Sequence, residues 1–230
     1  MEKKPKLVIS TGAGISAESG IATFRDNGGL WDQYDVMEVA SHEGYIKNPQ
    51  LIHDFYNYRR KEMNAAQPNE AHKALVALEE RFDVYVITQN VDNLHERAGS
   101  KNVLHLHGEL NKVEATDDAS KVYVLEGPDV TTSVDTVIDG HHVRPHIVFF
   151  GEGVPNFEKA IELVAEADIF VIIGTSLSVY PASTLLNFVR RDVPIYYIDP
   201  HPSANIPSTI NVIPKSATKG MEELSAILSK

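Results

Sequence analysis

The stretch KLVISTGAGISAESG, residues 6–20, indicates the fold more directly than any other part of the sequence. Its first six residues are mostly apolar and do not alternate with polar ones, which is typical of a strand covered on both faces in a parallel sheet. Gly12, Gly14 and Ala17 follow at the spacing of a dinucleotide-binding loop, in which small residues let the backbone approach a pyrophosphate. Glycines are also expected in a tight turn that merely relieves crowding, so the loop alone leaves both interpretations open.

Short apolar runs and helical patterns alternate along the rest of the chain. The runs rich in Val and Ile lie at 84–91, 103–108, 146–152, 169–176, 195–199 and 211–213. The helical patterns lie at 69–82, 155–167, 181–191 and 220–228. This alternation predicts an α/β fold with a Rossmann-like, doubly wound parallel sheet, whose ligands bind beyond the carboxyl ends of the strands.

Two stretches break the alternation and predict a smaller inserted domain. Residues 29–68 hold a helical pattern without a preceding strand, and residues 111–142 are polar and acidic. Within the second stretch, the apolar residues of 122–125 and 134–138 predict a hairpin whose two strands pack on each other. We expect one functional unit over 1–230, in which the large domain comprises 1–28, 69–110 and 143–230 and the small domain comprises 29–68 and 111–142.

The composition excludes several classes of site and partner. The chain of 230 residues has no cysteine, which excludes disulfides, thiolate metal sites and thiol catalysis. Its formal net charge of −11 disfavours nucleic acid and favours cationic partners such as lysine-rich protein segments. No apolar run approaches the roughly 20 residues that span a bilayer, and the first apolar stretch meets Gly12 too early for a signal peptide. The sequence therefore predicts a cytoplasmic protein that binds neither nucleic acid nor membranes.

The stretch VLHLHGEL, residues 103–110, contains two histidines on one side of an expected strand. Because successive side chains of a strand point to opposite faces, His105 and His107 project to the same side. They fit three roles: two metal ligands, a general base beside a structural neighbour, or two hydrogen-bonded core residues.

Five longer motifs follow one another along the chain: GAGISAESGIATFR (12–25), TQNVDNLHERAG (88–99), LHLHGEL (104–110), RPHIVFFGE (144–152) and IGTSLSVYPA (173–182). In order and approximate spacing they resemble the sirtuin family, the NAD-dependent protein deacylases. The resemblance implies that NAD is consumed as a co-substrate and that acyl-lysine proteins or peptides are the other substrate. It also implies the products nicotinamide, free lysine and O-acyl-ADP-ribose.

The resemblance assigns roles to individual positions. It implies that His107 is the general base, supported in catalysis by Asn90 and Asp92, and that His105 is a core histidine. The implied NAD contacts are Gly12, Ala13, Gly14, Ser16, Phe24, Arg25, Gln89, Asn90, Asp92, Gly174, Thr175, Ser176, Asp199 and Ala217. The implied peptide contacts, through backbone pairing with an extended substrate, are Val148, Phe149, Phe150 and Gly151. Asp199 stands where the family commonly has Asn.

The segment HDFYNYRRKEM, residues 53–63, bears on the acyl group. Tyr56 and Arg59 are three residues apart and therefore neighbours on one helical face. In one branch of the sirtuin family, a Tyr-x-x-Arg pair at this place binds the terminal carboxylate of succinyl- or malonyl-lysine, and TFR at 23–25 resembles the same branch. The alternative is an amphipathic helix in which Tyr56 packs and Arg59 is solvated.

Most sirtuins hold zinc through four cysteines in the small domain, and residues 111–142 contain none. We therefore expect no zinc. Oxygen and nitrogen ligands are conceivable at Asp117, Asp118, Asp135, Asp139, His141 and His142. A solvated acidic loop explains these residues better, because structural zinc sites usually contain thiolates.

Three other functions are compatible with parts of this pattern. A mono-ADP-ribosyltransferase would also expel nicotinamide, but it would pass the ribose to a protein nucleophile. A non-catalytic NAD-sensing module would bind the dinucleotide without turnover. The presence of Gln89, Asn90, Asp92 and His107 favours deacylation over both. A hydride-transfer dehydrogenase is disfavoured because no clear strand and ribose-binding acid follow the first loop.

Overall fold

Six parallel strands form the large sheet of the computed structural model, which describes residues 3–23, 34–127, 129–203 and 206–229. Numbered in chain order, they are β1 (Lys6–Thr11), β2 (Asp83–Thr88), β3 (Val103–His105), β8 (Ile169–Ile173), β9 (Ile195–Ile198) and β10 (Asn211–Ile213). Their order across the sheet is β10-β9-β8-β1-β2-β3, so the chain reverses its winding direction between β1 and β8. The predicted Rossmann-like, doubly wound sheet is confirmed, and the reversal is the switch point at which such sheets bind ligands.

Eight α-helices and one 3₁₀ helix occur within the described ranges. The α-helices are α1 (Gly14–Ala17), α2 (Val36–Val39), α3 (His42–Lys47), α4 (Pro49–Ala65), α5 (Glu70–Leu78), α6 (Leu94–Ala98), α7 (Phe157–Ala165) and α8 (Ala217–Leu228). Asn69 begins α5 because its side chain accepts hydrogen bonds from the Ala71 and His72 backbone N–H groups. The helical pattern at 181–191 forms the 3₁₀ helix Ala182–Phe188, and the last helix begins three residues earlier than the pattern predicted.

Strand β1 occupies the middle of the large sheet and is covered on both faces. Leu7 pairs in register with Val84 of β2 and Ile169 of β8. Leu7 and Ile9 pack in the cluster that also holds buried side chains of α5 and α8. Val8 points the other way, into the cluster that holds side chains of α7 and the 3₁₀ helix. Burial of both faces explains why this stretch of sequence does not alternate.

A second, antiparallel sheet contains β4 (Gly108–Ala115), β5 (Val122–Val124), β6 (Val137–Ile138) and β7 (His141–Ile147) in the order β5-β4-β7-β6. The predicted hairpin between 122–125 and 134–138 is wrong, because β5 and β6 lie at opposite edges. The central strands β4 and β7 carry the buried side chains, whereas Val124 and Val137 are exposed. The edge strands are therefore held by backbone pairing with β4 and β7 and not by an apolar contact with each other.

The apolar run at 146–152 belongs to this second region and not to the parallel sheet. Strand β7 ends at Ile147, and three residues later Phe150 forms an isolated bridge with Ser41. The Phe150 N–H donates to the Ala40 carbonyl, and the His42 N–H donates to the Phe150 carbonyl. This part of the sequence prediction was wrong. Ile147 and Phe149 are buried but Phe150 is exposed, so the unbroken apolar run does not reflect a strand covered on both faces. Within the described ranges, every helix falls short of the length and hydropathy required to cross a membrane.

Candidate active site

A cavity of about 660 Å³ opens at the carboxyl ends of β1 and β8, at the switch point of the large sheet. Most of the residues predicted from the sequence line it: Gly12, Ala13, Gly14, Tyr56, Arg59, Gln89, Asn90, His107, Val148, Phe149, Phe150, Gly151, Gly174, Thr175, Ser176, Asp199 and Ala217. Ser16 and Asp92 are buried directly behind this wall. Phe24 and Arg25 lie outside the described residues. The cavity has the size of pockets that enclose small-molecule ligands, about 300–1,000 Å³.

The glycines of the first loop are required by another loop of the protein. The Gly12 N–H donates to the Ile173 carbonyl at 3.0 Å, and the Gly14 N–H donates to the Gly174 carbonyl at 2.9 Å. A Cβ atom at Gly14 would lie 2.5 Å from the Gly174 Cα atom, and Gly174 itself has a φ of +62°. Crowding between the two loops therefore explains these glycines. Both loops nevertheless present their backbones to the cavity, as a dinucleotide site requires.

Three buried polar side chains behind the first loop are connected by hydrogen bonds. The Ser16 hydroxyl donates to Asp92 Oδ2 at 3.0 Å, and Asn90 Nδ2 donates to Ser16 Oγ at 3.2 Å. Asp92 Oδ1 accepts a hydrogen bond from the Leu94 N–H at 3.1 Å. Burial raises the pKa of Asp92 above its ordinary value. Asp92 thus holds Ser16, and Ser16 in turn fixes the orientation of the Asn90 amide at the cavity wall.

His107 and His105 have different surroundings although their rings face the same loop. His107 Nδ1 is 3.0 Å from the Gln89 carbonyl oxygen, and His105 Nδ1 is 2.9 Å from the Asn90 carbonyl oxygen. These partners are consecutive residues of one loop. Strand β3 ends at His105, however, so His107 follows the strand and the direction of its ring is not set by strand alternation, contrary to what the sequence analysis expected. His105 is buried, and its Nε2 atom lies 2.8 Å from Glu96 Oε1. Despite burial, this carboxylate raises the pKa of His105.

His107 meets the requirements of a proton acceptor. A carbonyl oxygen at Nδ1 requires the N–H tautomer there, which leaves a lone pair on Nε2. Burial lowers the pKa of His107 below 6.5, so the ring is neutral at pH 7. The ring lines the cavity just before Gly108, whose φ of +85° lets the chain turn from β3 into β4. The geometry therefore presents a neutral imidazole at the cavity surface.

The segment 148–151, which the resemblance implies binds peptide, is held by an ion pair that the sequence analysis missed. Glu152 accepts hydrogen bonds from Arg144 Nη1 at 2.7 Å, Arg144 Nη2 at 2.9 Å and the Phe149 N–H at 2.9 Å. Although burial opposes ionisation, these bonds and one with His42 lower the pKa of Glu152 to about 2. The Arg144 guanidinium also lies 4.3 Å from the Phe149 ring centroid. The signal was available, since both charged residues lie within the motif RPHIVFFGE.

Tyr56 and Arg59 line the cavity from α4. Only 6% of Tyr56 and 4% of Arg59 is exposed, so the alternative with a solvated arginine is wrong. The Tyr56 ring packs 5.9 Å from the ring of Phe149, and burial raises the pKa of its phenol. Arg59 Nη1 donates to Glu62 Oε2 at 2.7 Å, so this cavity-lining arginine contacts a carboxylate that the sequence analysis did not single out. The position of Glu62, three residues after Arg59 on the same helix, was the available signal.

The potential metal ligands of 111–142 make separate local contacts; Asp118, for example, accepts a hydrogen bond from the Ser120 hydroxyl. His141 Nδ1 lies 2.8 Å from Asp117 Oδ1, and His141 Nε2 lies 2.7 Å from Lys121 Nζ. In the part of the chain that the structure describes, no group of three or more His, Asp or Glu side chains is arranged to hold a metal ion.

Comparisons with known proteins agree with this geometry. A model of the Sir2 family matches residues 12–181. A protein of Bacteroides thetaiotaomicron named NAD-dependent protein deacylase is 52% identical over 227 residues, covering 96% of this chain and 97% of that protein. A Helicobacter pylori protein of the same name is 52% identical over 219 residues, covering 95% of each. The crystal structure of a Sir2 homolog–NAD complex superimposes with a TM-score of 0.87 at 37% identity, covering 98% of this chain and 90% of that one.

Proposed function

The chain belongs to the Sir2 family and is an NAD-dependent protein deacylase, and from this premise we propose that it removes succinyl and malonyl groups from lysine as well as acetyl groups. One observation carries the proposal. Tyr56 and Arg59 are almost completely buried and line the same cavity as His107. A buried cation at a cavity wall is suited to an anionic ligand.

The chemistry of this pair matches a short acyl chain that ends in a carboxylate. A guanidinium offers two parallel N–H donors to a carboxylate, and such charge-assisted bonds are roughly twice as strong as neutral ones. The raised pKa of Tyr56 keeps its phenol protonated, so that it can donate a further hydrogen bond. The protein as a whole is acidic, with a net charge of −11, and Arg59 supplies the local positive charge that an anionic acyl group requires.

We assign the proton transfer to His107. NAD, when bound, supplies the ribose carbon that receives the acyl oxygen as nicotinamide departs. The lone pair on His107 Nε2 then accepts the proton of a ribose hydroxyl, because the Gln89 carbonyl keeps the other ring nitrogen protonated. A positioned general base of this kind contributes about 10²–10⁴-fold to the rate. Asn90 and Gln89 line the wall beside this ring and would orient the nicotinamide ribose.

We assign the remaining wall residues to an adenosine side and a peptide side of the cavity. We assign Asp199 and Ala217 to the adenosine end, with Gly174, Thr175 and Ser176 beside them. The N–H groups of Val148, Phe149 and Phe150 already donate within the protein, so the segment 148–151 would offer its remaining backbone groups to the extended substrate. Such pairing recognises main chain more than sequence. The cavity fits NAD on two counts: its place at the switch point, and walls that combine backbone loops with neutral amide and hydroxyl groups.

Mass spectrometry of matched peptides tests the proposed function. Three peptides of one sequence, carrying acetyl-, malonyl- or succinyl-lysine, are incubated with the protein and NAD. With each peptide we expect three products: free lysine, nicotinamide and the O-acyl-ADP-ribose of that acyl group. For a given peptide, the three products should form in equal amounts. Nicotinamide release from a peptide that stays acylated would indicate ADP-ribosyl transfer, and turnover of the acetyl peptide alone would contradict the proposed acyl range.

A further inference from the structure

We propose that Glu62 sets the acyl preference of the cavity by acting as the internal counter-ion of Arg59. The inference rests on the proposed function, because it assumes that Arg59 meets the acyl group. With a neutral acyl chain in place, Glu62 keeps the buried guanidinium paired. With an acidic acyl chain in place, Glu62 competes with the substrate carboxylate for the same cation.

The contacts of Glu62 hold its carboxylate in place. Oε2 accepts a hydrogen bond from Arg59 Nη1 at 2.7 Å, and Oε1 accepts one from the Tyr58 hydroxyl at 3.0 Å. Both carboxylate oxygens are therefore bound, so the charge is fixed beside Arg59. The side chain of Arg59 is 4% exposed and that of Glu62 is 26% exposed, which places the acid on the outer side of the cation.

Electrostatics fix the direction of the effect. An acidic acyl group adds a second negative charge beside one guanidinium, so the substrate carboxylate and Glu62 repel each other across Arg59. An acetyl group adds no charge, and its entry leaves the Arg59–Glu62 ion pair undisturbed. Glu62 consequently weakens binding of succinyl-lysine and supports binding of acetyl-lysine. Partial exposure screens both effects and keeps them moderate.

Replacement of Glu62 by glutamine separates charge from shape. The Glu62→Gln variant keeps an oxygen that accepts from Arg59 and loses the negative charge. Glu70→Gln is the matched control, since Glu70 forms an ion pair of the same spacing with Lys73, on α5 and away from the cavity wall. Initial rates are measured for succinyl and acetyl peptides of one sequence, and melting temperatures verify that each variant is folded.

We expect Glu62→Gln to raise the succinyl-to-acetyl ratio of kcat/KM by about fivefold, the size of a partly screened charge interaction. The change should lie in a lower KM for the succinyl peptide, and Glu70→Gln should leave the ratio unchanged. A ratio that stays constant or falls in Glu62→Gln would overturn the counter-ion proposal. If the glutamine variant is unstable, Glu62→Ala removes the same charge from the helix and carries the same prediction.

Arg59→Met, assayed with the same peptides, separates the failure of this inference from that of the proposed function. Equal losses on both peptides in Arg59→Met would refute the acyl proposal itself. A loss confined to the succinyl peptide, together with an unchanged ratio in Glu62→Gln, would refute the role of Glu62 alone.

Discussion

Single residues in this protein take their roles from immediate neighbours. His105 and His107 are two positions apart and contact consecutive carbonyl oxygens. One is paired with Glu96 and buried, whereas the other faces the cavity with a lowered pKa. The sequence predicted a strand that carries both rings, but β3 ends at His105, so the position of His107 depends on the turn at Gly108 and not on alternation alone. The spacing of Arg59 and Glu62 indicated that they are neighbours, but i,i+3 neighbours are common on exposed helices. The burial of Arg59, which makes this contact important, was not visible in the sequence.

The Arg59→Met substitution should reduce kcat/KM more for a succinyl peptide than for an acetyl peptide. Methionine fills a similar volume but offers no donor to a carboxylate. We expect kcat/KM for a succinyl peptide to fall at least about tenfold further than that for an acetyl peptide, the equivalent of about 1.4 kcal/mol of lost transition-state binding. Steady-state rates on both peptides measure this difference, and losses of equal size would contradict it.

Strands and helices with buried apolar faces could be predicted from the sequence. Short strands that are held only by backbone pairing with residues far away in the sequence could not. The run at 6–11 became β1 over the predicted residues because Leu7, Val8 and Ile9 are buried on both faces. The edge strands β5 and β6 contain three and two residues, too few to establish a pattern of their own. Their positions follow from β4 and β7, which the local sequence does not specify.

The close contact between the loops of Gly14 and Gly174 predicts that a side chain at Gly174 lowers the stability of the protein. Gly174→Ala adds a Cβ atom 2.6 Å from the Gly14 Cα atom at a φ of +62°. Gly140→Ala is the control, since Gly140 has a φ of +83° and no atom within 4 Å of an added Cβ. Both variants incur backbone strain, but only the first forces two loops apart, at a further cost of about 1–3 kcal/mol. Denaturant unfolding measures the free energy of unfolding of both variants. Equal values would contradict the claim that the loops of Gly14 and Gly174 pack too closely for a Cβ atom.

Across the whole molecule, the strand order determines where the cavity forms. The chain reverses between β1 and β8, and the loops after both strands line the cavity. Alternating patterns predicted this location without any knowledge of side-chain contacts. The division into a large domain (1–28, 69–110 and 143–230) and a small domain (29–68 and 111–142) stays a prediction, as does the cytoplasmic location.

Buried histidines should make the whole fold sensitive to acid. His72 and His95 are fully buried with ring centroids 4.9 Å apart, and each has a ring nitrogen that finds no hydrogen-bond partner among the described residues. Burial lowers the pKa of His72 to about 4 and that of His95 well below 6.5. The unfolded chain therefore binds more protons, and the free energy of unfolding declines as the pH falls from 6.5 towards about 4.

His72→Gln should reduce this acid sensitivity. Glutamine at the same helical position can still cap the Asn69 N–H, as His72 Nδ1 does at 3.3 Å. The free energy of unfolding should then decline less steeply as the pH falls. The slope should be smaller than that of the unmodified protein by up to about 1.4 kcal/mol per pH unit, the contribution of one proton. Urea unfolding at several pH values measures the slope, with the exposed His201→Gln as control. An unchanged slope in His72→Gln would contradict the prediction.

The rate of lysine release by the His107→Ala variant tests the central claim most directly. The proposed base acts after nicotinamide leaves, so exchange of labelled nicotinamide into NAD should persist and verify that the variant binds both substrates. We predict that free-lysine formation from an acetyl peptide falls by about 10²–10⁴-fold, the range for loss of a positioned general base. Formation of free lysine at the rate of the unmodified protein would contradict the role assigned to His107.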